Sequence, residues 1–232
     1  MKSHGRKWPG EAVTELLIRT LPRVYHMAHV DAWDGIQRHG LLSTTALLDL
    51  FEVNGEKRHA IESCRRPENV IIEHAVHGRA IIRDNKPMDD QGLRRALQGI
   101  TPKEWYELLN RRIFFWLSEQ RLTTLLSAKA YRGAHHCVLT VSTRSLAERH
   151  SDSLWLCPIN SGTTKPMPHP RGRDAFQRIH QYPFEHWRKK RGSPHKAIVE
   201  LAVDYAVPDI VQLVDRVAIH DTSGFVREVW RR

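Results

Sequence analysis

Apolar runs of strand length constrain the fold of this chain more than any other sequence feature. Two of them, Ile113–Leu117 and Cys137–Val141, are uninterrupted or nearly so, and such runs are typical of strands buried on both faces. A third, Ala197–Val203, carries Glu200 in its middle. Helical spacing follows each of the first two runs, but no glycine-rich phosphate loop follows either of them. The pattern therefore alternates strands with helices and disfavours a doubly wound dinucleotide-binding fold.

A strand-to-helix unit at residues 21–43 precedes these runs. A short apolar piece predicts a strand that ends at His26. Asp31 is the predicted N-cap of the following helix, and Gly40 is its predicted terminating glycine. A histidine between a strand end and a helix is expected beside a cleft, although an ordinary partly buried histidine fits the local context as well.

The segment from about residue 43 to 110 is predicted to be mainly helical. Ser43 or Thr44 is the expected N-cap of one helix, and Thr101 is the expected N-cap of another. Two apolar runs on either side of residues 77–78 indicate either a hairpin or a helix end followed by a strand.

Residues 157–195 are predicted to be irregular, because proline, glycine and basic side chains dominate and only Asp174–His180 has a helical pattern. A compact domain rarely contains so long a loop without a function. Aromatic residues among the arginines and lysines suit base stacking combined with phosphate contacts. A solvated linker is the alternative.

The charge balance narrows the class of partner. The chain has 36 Lys and Arg residues against 26 Asp and Glu, a formal net charge of +10, which favours a polyanion such as nucleic acid or a dinucleotide pyrophosphate. The 3 dispersed cysteines predict free thiols, and the 15 histidines have no metal-ligand spacing, so no metal site is expected. No apolar stretch is long enough to span a bilayer and the N-terminus lacks an apolar signal core. We therefore expect a cytoplasmic protein without a membrane partner.

Glu200 is the carboxylate that the sequence singles out for chemistry. A glutamate inside an apolar strand is costly to bury unless it is hydrogen-bonded or lies at a cleft. An edge-strand glutamate that faces solvent fits the same pattern.

Three stretches, in this order, give the chain a resemblance to the DarT-like ADP-ribosyltransferases, and within that superfamily to an uncharacterised bacterial family more than to the toxins. They are YHMAHVDAWDGIQRHGLLS (25–43), RIFFWL (112–117) and VELAVDYAVPDI (199–210). The resemblance implies an α+β fold with a split mixed or antiparallel sheet flanked by helices. The sequence has no internal repeat and no convincing domain boundary, so we expect a single domain spanning residues 1–232. It also implies NAD as a co-substrate.

The resemblance assigns roles to several residues. Glu200 corresponds to the catalytic glutamate, and His26 to a histidine that binds the adenosine-side ribose. Arg112 and Arg83 compete for the position of an arginine that binds the pyrophosphate. The expected catalytic residues are Glu200, His26 and Arg112, and the expected NAD-binding residues are Tyr25, His26, Phe115, Trp116 and Arg83. For Phe115 and Trp116, a place in the hydrophobic core is an equal alternative.

The chain also departs from that superfamily. The segment between His26 and the aromatic strand is longer and more helical, and Arg121 is the nearest basic residue after that strand. Transferases of this type choose their acceptor with the loop that precedes the catalytic glutamate. The expected acceptor-side residues are Asn160, Ser161, Arg171 and Trp187.

The leading hypothesis is an NAD-dependent ADP-ribosyltransferase that modifies DNA or RNA, or less favourably a protein, in a toxin or phage-defence setting with an antitoxin partner. The second hypothesis is a non-catalytic nucleic-acid-binding protein on a degenerate transferase fold. A histidine-rich metallohydrolase is a distant third, because the sequence lacks close-spaced metal ligands. Turnover of NAD separates the first two.

Overall fold

The computed structural model describes residues 9–165 and 167–232, with side chains from residue 13 onward. The prediction that the N-terminus carries no secretory signal falls largely on residues 1–8, which lie outside this part. The helices are α1 (Pro9–Thr20), α2 (Trp33–His39), α3 (Thr44–Leu50), α4 (Gly55–Glu62), α5 (Asp90–Ala96), α6 (Pro102–Asn110), α7 (Glu119–Leu126), α8 (Thr143–His150), α9 (Phe184–Arg191) and α10 (Pro194–Ala197). The strands are β1 (Arg23–His29), β2 (Leu41–Leu42), β3 (Val70–His74), β4 (Gly78–Ile82), β5 (Arg112–Phe115), β6 (His136–Ser142), β7 (Leu154–Cys157), β8 (Gln177–Arg178), β9 (Glu200–Asp204), β10 (Ala206–Val207), β11 (Val214–Asp221) and β12 (Gly224–Arg231).

Two four-stranded sheets form the frame of the described part. The first sheet has the strand order β1-β6-β11-β12, and the second sheet has the order β5-β9-β7-β8. All their strand pairs are antiparallel. Two smaller antiparallel ladders pair β2 with β10 and β3 with β4. With helices on its flanks, this is the α+β architecture of antiparallel sheets that the sequence led us to expect.

The two sheets meet where β1 passes the end of β5. The Tyr25 N–H donates to the Trp116 carbonyl (2.9 Å), and the Trp116 N–H donates to the Tyr25 carbonyl (2.7 Å). Beyond this bridge, the described ladder of β1 continues with β6, from His26 to His29. The frame is therefore split between β1 and β5, and the split opens next to His26.

One shared core holds the two sheets together. Leu139 and Val217 of the first sheet and Leu154 and Leu201 of the second belong to the same cluster, and each is fully buried. A common core of this kind makes the described residues a single compact body.

A separate cluster lies under the segment that follows β2. It packs Leu48 and Phe51 against Ile61 of α4 and against Ile72 and Ile82 of the hairpin β3–β4. The hairpin is therefore the correct alternative for the two apolar runs, and this segment is a mixture of helices and a hairpin rather than a purely helical insertion.

The N-terminal unit differs from its prediction in two ways. β1 continues to His29, so His26 lies in the middle of a strand. The prediction for Asp31 was wrong, because Ala32 holds the N-cap position of α2 and no side chain caps that helix. The Asp31 backbone N–H donates to His29 Nδ1 at 3.3 Å. The prediction for Gly40 is confirmed, since this residue ends α2 with a φ of 82°.

The later part of the chain is more regular than predicted. α10 occupies the start of the predicted third strand, so Glu200 is the first residue of β9 rather than its centre. Asp174–His180 is not a helix, and a 3-10 turn and β8 stand there instead. α9 was missed because Phe184 and Trp187 are its apolar residues among basic ones, which leaves no extended apolar periodicity.

None of the described helices combines the length and apolarity needed to cross a membrane.

Candidate functional site

A cavity of about 730 Å³ lies at the split between the sheets. Its walls come from β1, α2, β2, α3, β4, α6, β5, α7, the first residue of β9 and the loop that follows β7. The sequence-predicted residues that line it are His26, Arg83, Arg112, Trp116, Asn160, Ser161 and Glu200, together with Arg121. Residues far apart in the chain are thus brought to one chamber.

Glu200 is buried in the wall of this cavity, with 6% of its surface exposed. Its Oε1 accepts a hydrogen bond from the Ser161 backbone N–H (3.0 Å). Its Oε2 has no hydrogen-bond partner among the described residues. Burial raises the pKa of this carboxyl from 4.5 to about 7, against the opposing effects of Ser161 and of the Arg171 and Arg121 charges. The carboxyl therefore changes its charge near neutral pH, and one of its oxygens is available to a ligand.

His26 contributes a neutral imidazole to the same cavity. Its Nδ1 lies 2.9 Å from the Phe114 carbonyl oxygen. Because a carbonyl only accepts, Nδ1 carries the proton and Nε2 of the neutral ring is a hydrogen-bond acceptor. Burial, with a smaller effect of the Arg83 charge, lowers the His26 pKa to about 4. At neutral pH this ring is therefore suited to accept a hydrogen bond from a hydroxyl group.

Three arginines supply positive charge to the cavity wall. Arg83 donates to the Met27 carbonyl at 3.3 Å, Arg112 to the Leu108 carbonyl at 2.7 Å, and Arg121 to the carbonyls of two residues just before β9. In the described part of the chain, none of the three forms an ion pair. Carbonyl groups thus fix these side chains without neutralising them, and the chamber favours an anionic ligand.

Arg112 is held especially firmly. Its guanidinium lies between the rings of Trp155 (4.8 Å) and Phe176 (4.7 Å), which are cation–π contacts. Burial lowers its pKa to about 10, so it stays charged at neutral pH. Its Nε is buried and has no partner among the described residues.

The aromatic strand runs along the cavity. Arg112, Ile113, Phe114 and Trp116 line it, whereas Phe115, with 1% exposure, packs in the shared core. Phe115 therefore takes its alternative place in the core and does not line the cavity, whereas its neighbour Phe114 does. The period-two alternation of a strand, counted from Arg112, was the signal that could have identified Phe114.

Tyr25 does not line the cavity either. Its ring packs with Leu122, Leu126 and Val138, and its hydroxyl donates to Glu119 Oε1 at 3.3 Å. Because successive strand residues face opposite sides, a cavity position for His26 places Tyr25 on the other face. The contribution of Tyr25 to the site is the backbone bridge between the sheets.

The expected acceptor-side residues separate into two groups. Asn160 and Ser161 line the cavity. Arg171 is buried, with 2% exposure, and does not line the cavity. Trp187 packs on the core, with Lys190 and Arg191 each 5.0 Å from its ring. Its faces are therefore occupied by cations rather than free for bases.

No group of three or more His, Cys, Asp or Glu side chains in the described residues is arranged to hold a metal ion.

The fold and the cavity define a mixed α+β protein whose site lies where two antiparallel sheets separate. The chain belongs to a family of unknown function, DUF7002, which it matches over residues 22–214. The matched range contains every cavity residue described above. No curated protein matches the chain. Among solved structures, DarT from Thermus sp. 2.9 in complex with NAD+ is similar with a TM-score of 0.40 and 15% identity, over 88% of this chain and 84% of that one. At that level of similarity, a function has to be argued from the residues of this chain.

Proposed function

We propose that this protein is an NAD-dependent ADP-ribosyltransferase whose acceptor is a nucleic acid. The observation that carries the proposal is the joint placement of a buried glutamate with a free oxygen, Glu200, and a neutral acceptor histidine, His26, in one arginine-lined cavity. The resemblance of three sequence stretches to DarT-like transferases supports it.

The residues fit a dinucleotide in charge and in hydrogen-bonding groups. Arg112 Nε and Glu200 Oε2 are buried polar atoms without a partner in the described residues, and both side chains line the cavity. A ligand that carries phosphate and hydroxyl groups gives each of them a partner. In our proposal, His26 accepts from a ribose hydroxyl, and Phe114 and Trp116 provide the apolar wall for the nicotinamide ring.

NAD supplies an activated glycosidic bond, whose leaving group is neutral nicotinamide. In the proposed transfer, the bond between the nicotinamide nitrogen and the ribose C1′ breaks, and nicotinamide leaves with the electron pair. The acceptor atom forms the new bond to C1′. Glu200 in its ionised form stabilises the positive charge that develops on the ribose and takes the proton from the acceptor.

The acceptor assignment rests on charge. The chain carries a net charge of +10, and residues 184–197 contain five Lys or Arg residues and a single acidic residue, Glu185. Arg121 bonds to the carbonyl of His195 in α10 (3.2 Å) and to those of Ile198 and Val199, which ties this basic segment to the cavity wall. Such a surface favours phosphate contacts. A toxin or phage-defence role, and an antitoxin partner, belong to the same proposal by resemblance.

The test is transfer of radiolabel from NAD labelled in the adenylate phosphate to DNA or RNA oligonucleotides. We expect labelling of one class of nucleic acid by the wild type and its loss in Glu200→Gln, which keeps the acceptor oxygen for the Ser161 N–H but cannot ionise. Equal labelling by the wild type and the variant would reject the role of Glu200.

One observation favours a second candidate, a non-catalytic nucleic-acid-binding protein. The cationic side chains Arg188, Lys189 and Lys190 of α9 are all exposed, and they bind phosphates equally well without a transferase site. Tight oligonucleotide binding without any nicotinamide release, in the wild type and in Glu200→Gln alike, is the result that this candidate predicts.

A further inference from the structure

A buried arginine ties down the loop between β7 and β8. The Arg171 guanidinium donates to the Ser161 carbonyl through Nη1 (2.9 Å) and to the His169 carbonyl through Nε (2.9 Å). Nη1 makes a longer contact to the Asn160 carbonyl (3.5 Å), and the guanidinium lies 5.8 Å from the centre of the Trp105 ring. Arg171 forms no ion pair in the described residues. Burying a guanidinium without an acidic partner costs free energy. The contacts of Arg171 are with carbonyl groups and a ring, and these must offset that cost.

The backbone of Arg171 is bonded to the end of α5, whereas its side chain holds an earlier part of the loop between β7 and β8. Its N–H donates to the Ala96 carbonyl and its carbonyl accepts from the Gln98 N–H, both at 2.9 Å. At the next residue, a Cβ on Gly172 would lie 2.7 Å from the Gln98 carbonyl oxygen. The close approach of these two segments makes Arg171 a fixed support rather than a mobile surface cation.

We propose that Arg171 is a positioning residue for Glu200, acting through the peptide groups of Ser161. The Ser161 carbonyl accepts from the guanidinium, while the Ser161 N–H donates to Glu200 Oε1 at 3.0 Å. Fixing Oε1 in this way leaves Oε2 as the oxygen available to a ligand. The catalytic consequence rests on the proposed function, whereas the positioning does not.

The charged and titratable groups around Glu200 determine how the loss of Arg171 should change the pKa of Glu200. Arg171 and, from α7, Arg121 both favour the ionised carboxylate. Cys157, the cross-strand neighbour of Glu200 on β7, is a buried thiol whose own pKa is raised well above its ordinary value. Removing Arg171 takes away a positive charge and loosens the N–H that stabilises the carboxylate. Both changes raise the pKa of Glu200 further.

The experiment is an NMR titration of the full chain without NAD, with ¹³C-labelled glutamate carboxyls and ¹⁵N amides. In the wild type, we expect the Ser161 amide shift to follow the ionisation of Glu200, because the N–H is bonded to that carboxylate. In Arg171→Met, we expect the Ser161 amide to stop following it and the Glu200 pKa to rise by about one pH unit. Arg171→Lys keeps the charge but places all its donors on one nitrogen, without the planar fork that reaches the Ser161 and His169 carbonyls from two nitrogens. It should lose most of the coupling with a smaller rise in the Glu200 pKa.

A second anchor of the same loop provides the control. Thr164 Oγ1 donates to Asp89 Oδ2 and accepts from the Asp89 N–H, both at 2.9 Å. Thr164→Ala should lower stability while the Ser161 amide still follows Glu200. The proposal is overturned if the amide keeps following Glu200 in folded Arg171→Met, or if Thr164→Ala uncouples it equally. Should Arg171→Met not fold, the same criterion applies to Arg171→Lys.

This titration is independent of turnover. Coupling that is lost in the Arg171 variants of a protein that never consumes NAD would support the positioning role and reject the proposed transferase. If the protein turns over NAD and the coupling survives in the Arg171 variants, the proposed transferase would be supported and the positioning role rejected.

Discussion

At the scale of single residues, the cavity combines a carboxyl group and an imidazole whose pKa values burial shifts in opposite directions. The Glu200 pKa is raised to about 7, and the His26 pKa is lowered to about 4. Near neutral pH the histidine is therefore uncharged and the glutamate is only partly ionised. The positive charge of the arginines in the wall is thus left to favour an anionic ligand.

Burial of Glu200 should cost stability at alkaline pH. The carboxyl ionises at 4.5 in the unfolded chain and at about 7 in the folded one. Stability that is present below pH 4.5 is therefore lost as pH rises through 7, by roughly 3 kcal/mol. Glu200→Gln removes this loss, so the variant should gain stability relative to the wild type between pH 4 and pH 8. Urea unfolding across that range measures the difference.

The control for this prediction is Glu68→Gln, which removes one acid from an exposed position. A stability difference between wild type and Glu200→Gln that does not change with pH would contradict the account of a carboxyl held protonated by burial.

Sequence reasoning identified the chemistry of individual residues better than their contacts. Glu200 was singled out as a carboxylate in an apolar strand, and His26 mainly by the family resemblance. The structure places both residues in the cavity wall. Arg171 was expected at the acceptor surface, but the chain folds back on α5 and buries it. Such burial depends on long-range packing that local sequence does not specify.

At the scale of elements, the end of α2 depends on a glycine. Gly40 has a positive φ, and a Cβ there would lie 2.6 Å from Pro208 Cα. Gly40→Ala should therefore lower the free energy of unfolding by roughly 2–4 kcal/mol. Urea denaturation of the variant measures this loss.

Gly35, inside α2, is the matched control because no atom lies within 4 Å of its added Cβ. Gly35→Ala should be neutral or stabilising by about 0.5–1 kcal/mol. Equal destabilisation by both substitutions would show that the close approach to Pro208 is not what requires Gly40.

Elements with local signals were predicted, and those without them were missed. Ser43 and Thr101 each cap a helix through a side-chain oxygen, as their sequence positions indicate. β12 had no such signal, because it is an edge strand whose residues are mostly exposed. Its pairing with β11 is irregular at two places, a feature that blunts an edge strand against further pairing.

At the scale of the whole molecule, the cavity exists because two sheets meet and then separate. The bridge between Tyr25 and Trp116 joins strands from distant parts of the chain. Composition and periodicity predicted the strands, but they do not define which strands pair. The split sheet came into the prediction through the family resemblance.

The proposed binding of nucleic acid should depend on the positive charge of the molecule. Lys189 and Lys190 on α9 are exposed, and phosphate contacts made by such side chains release counterions. Lys189→Gln/Lys190→Gln should weaken oligonucleotide binding and reduce the slope of log K against log salt by roughly 1–2. Fluorescence anisotropy at several salt concentrations measures both quantities.

A double variant on other elements, Lys57→Gln on α4 with Arg94→Gln on α5, removes the same charge from exposed positions. If it changes the slope as much as the α9 variant does, net charge rather than the α9 surface accounts for binding.

The most direct measurement of the central claim is the initial rate of nicotinamide release from NAD as a function of pH, for the wild type and Glu200→Gln with nucleic acid present. We expect the wild-type rate to rise with pH through about 7, because the ionised carboxylate is the active form, and to fall by roughly 10²–10³-fold in the variant. Equal rates in the two proteins, or no release at any pH, would contradict the assignment of this cavity as an ADP-ribosyltransferase site.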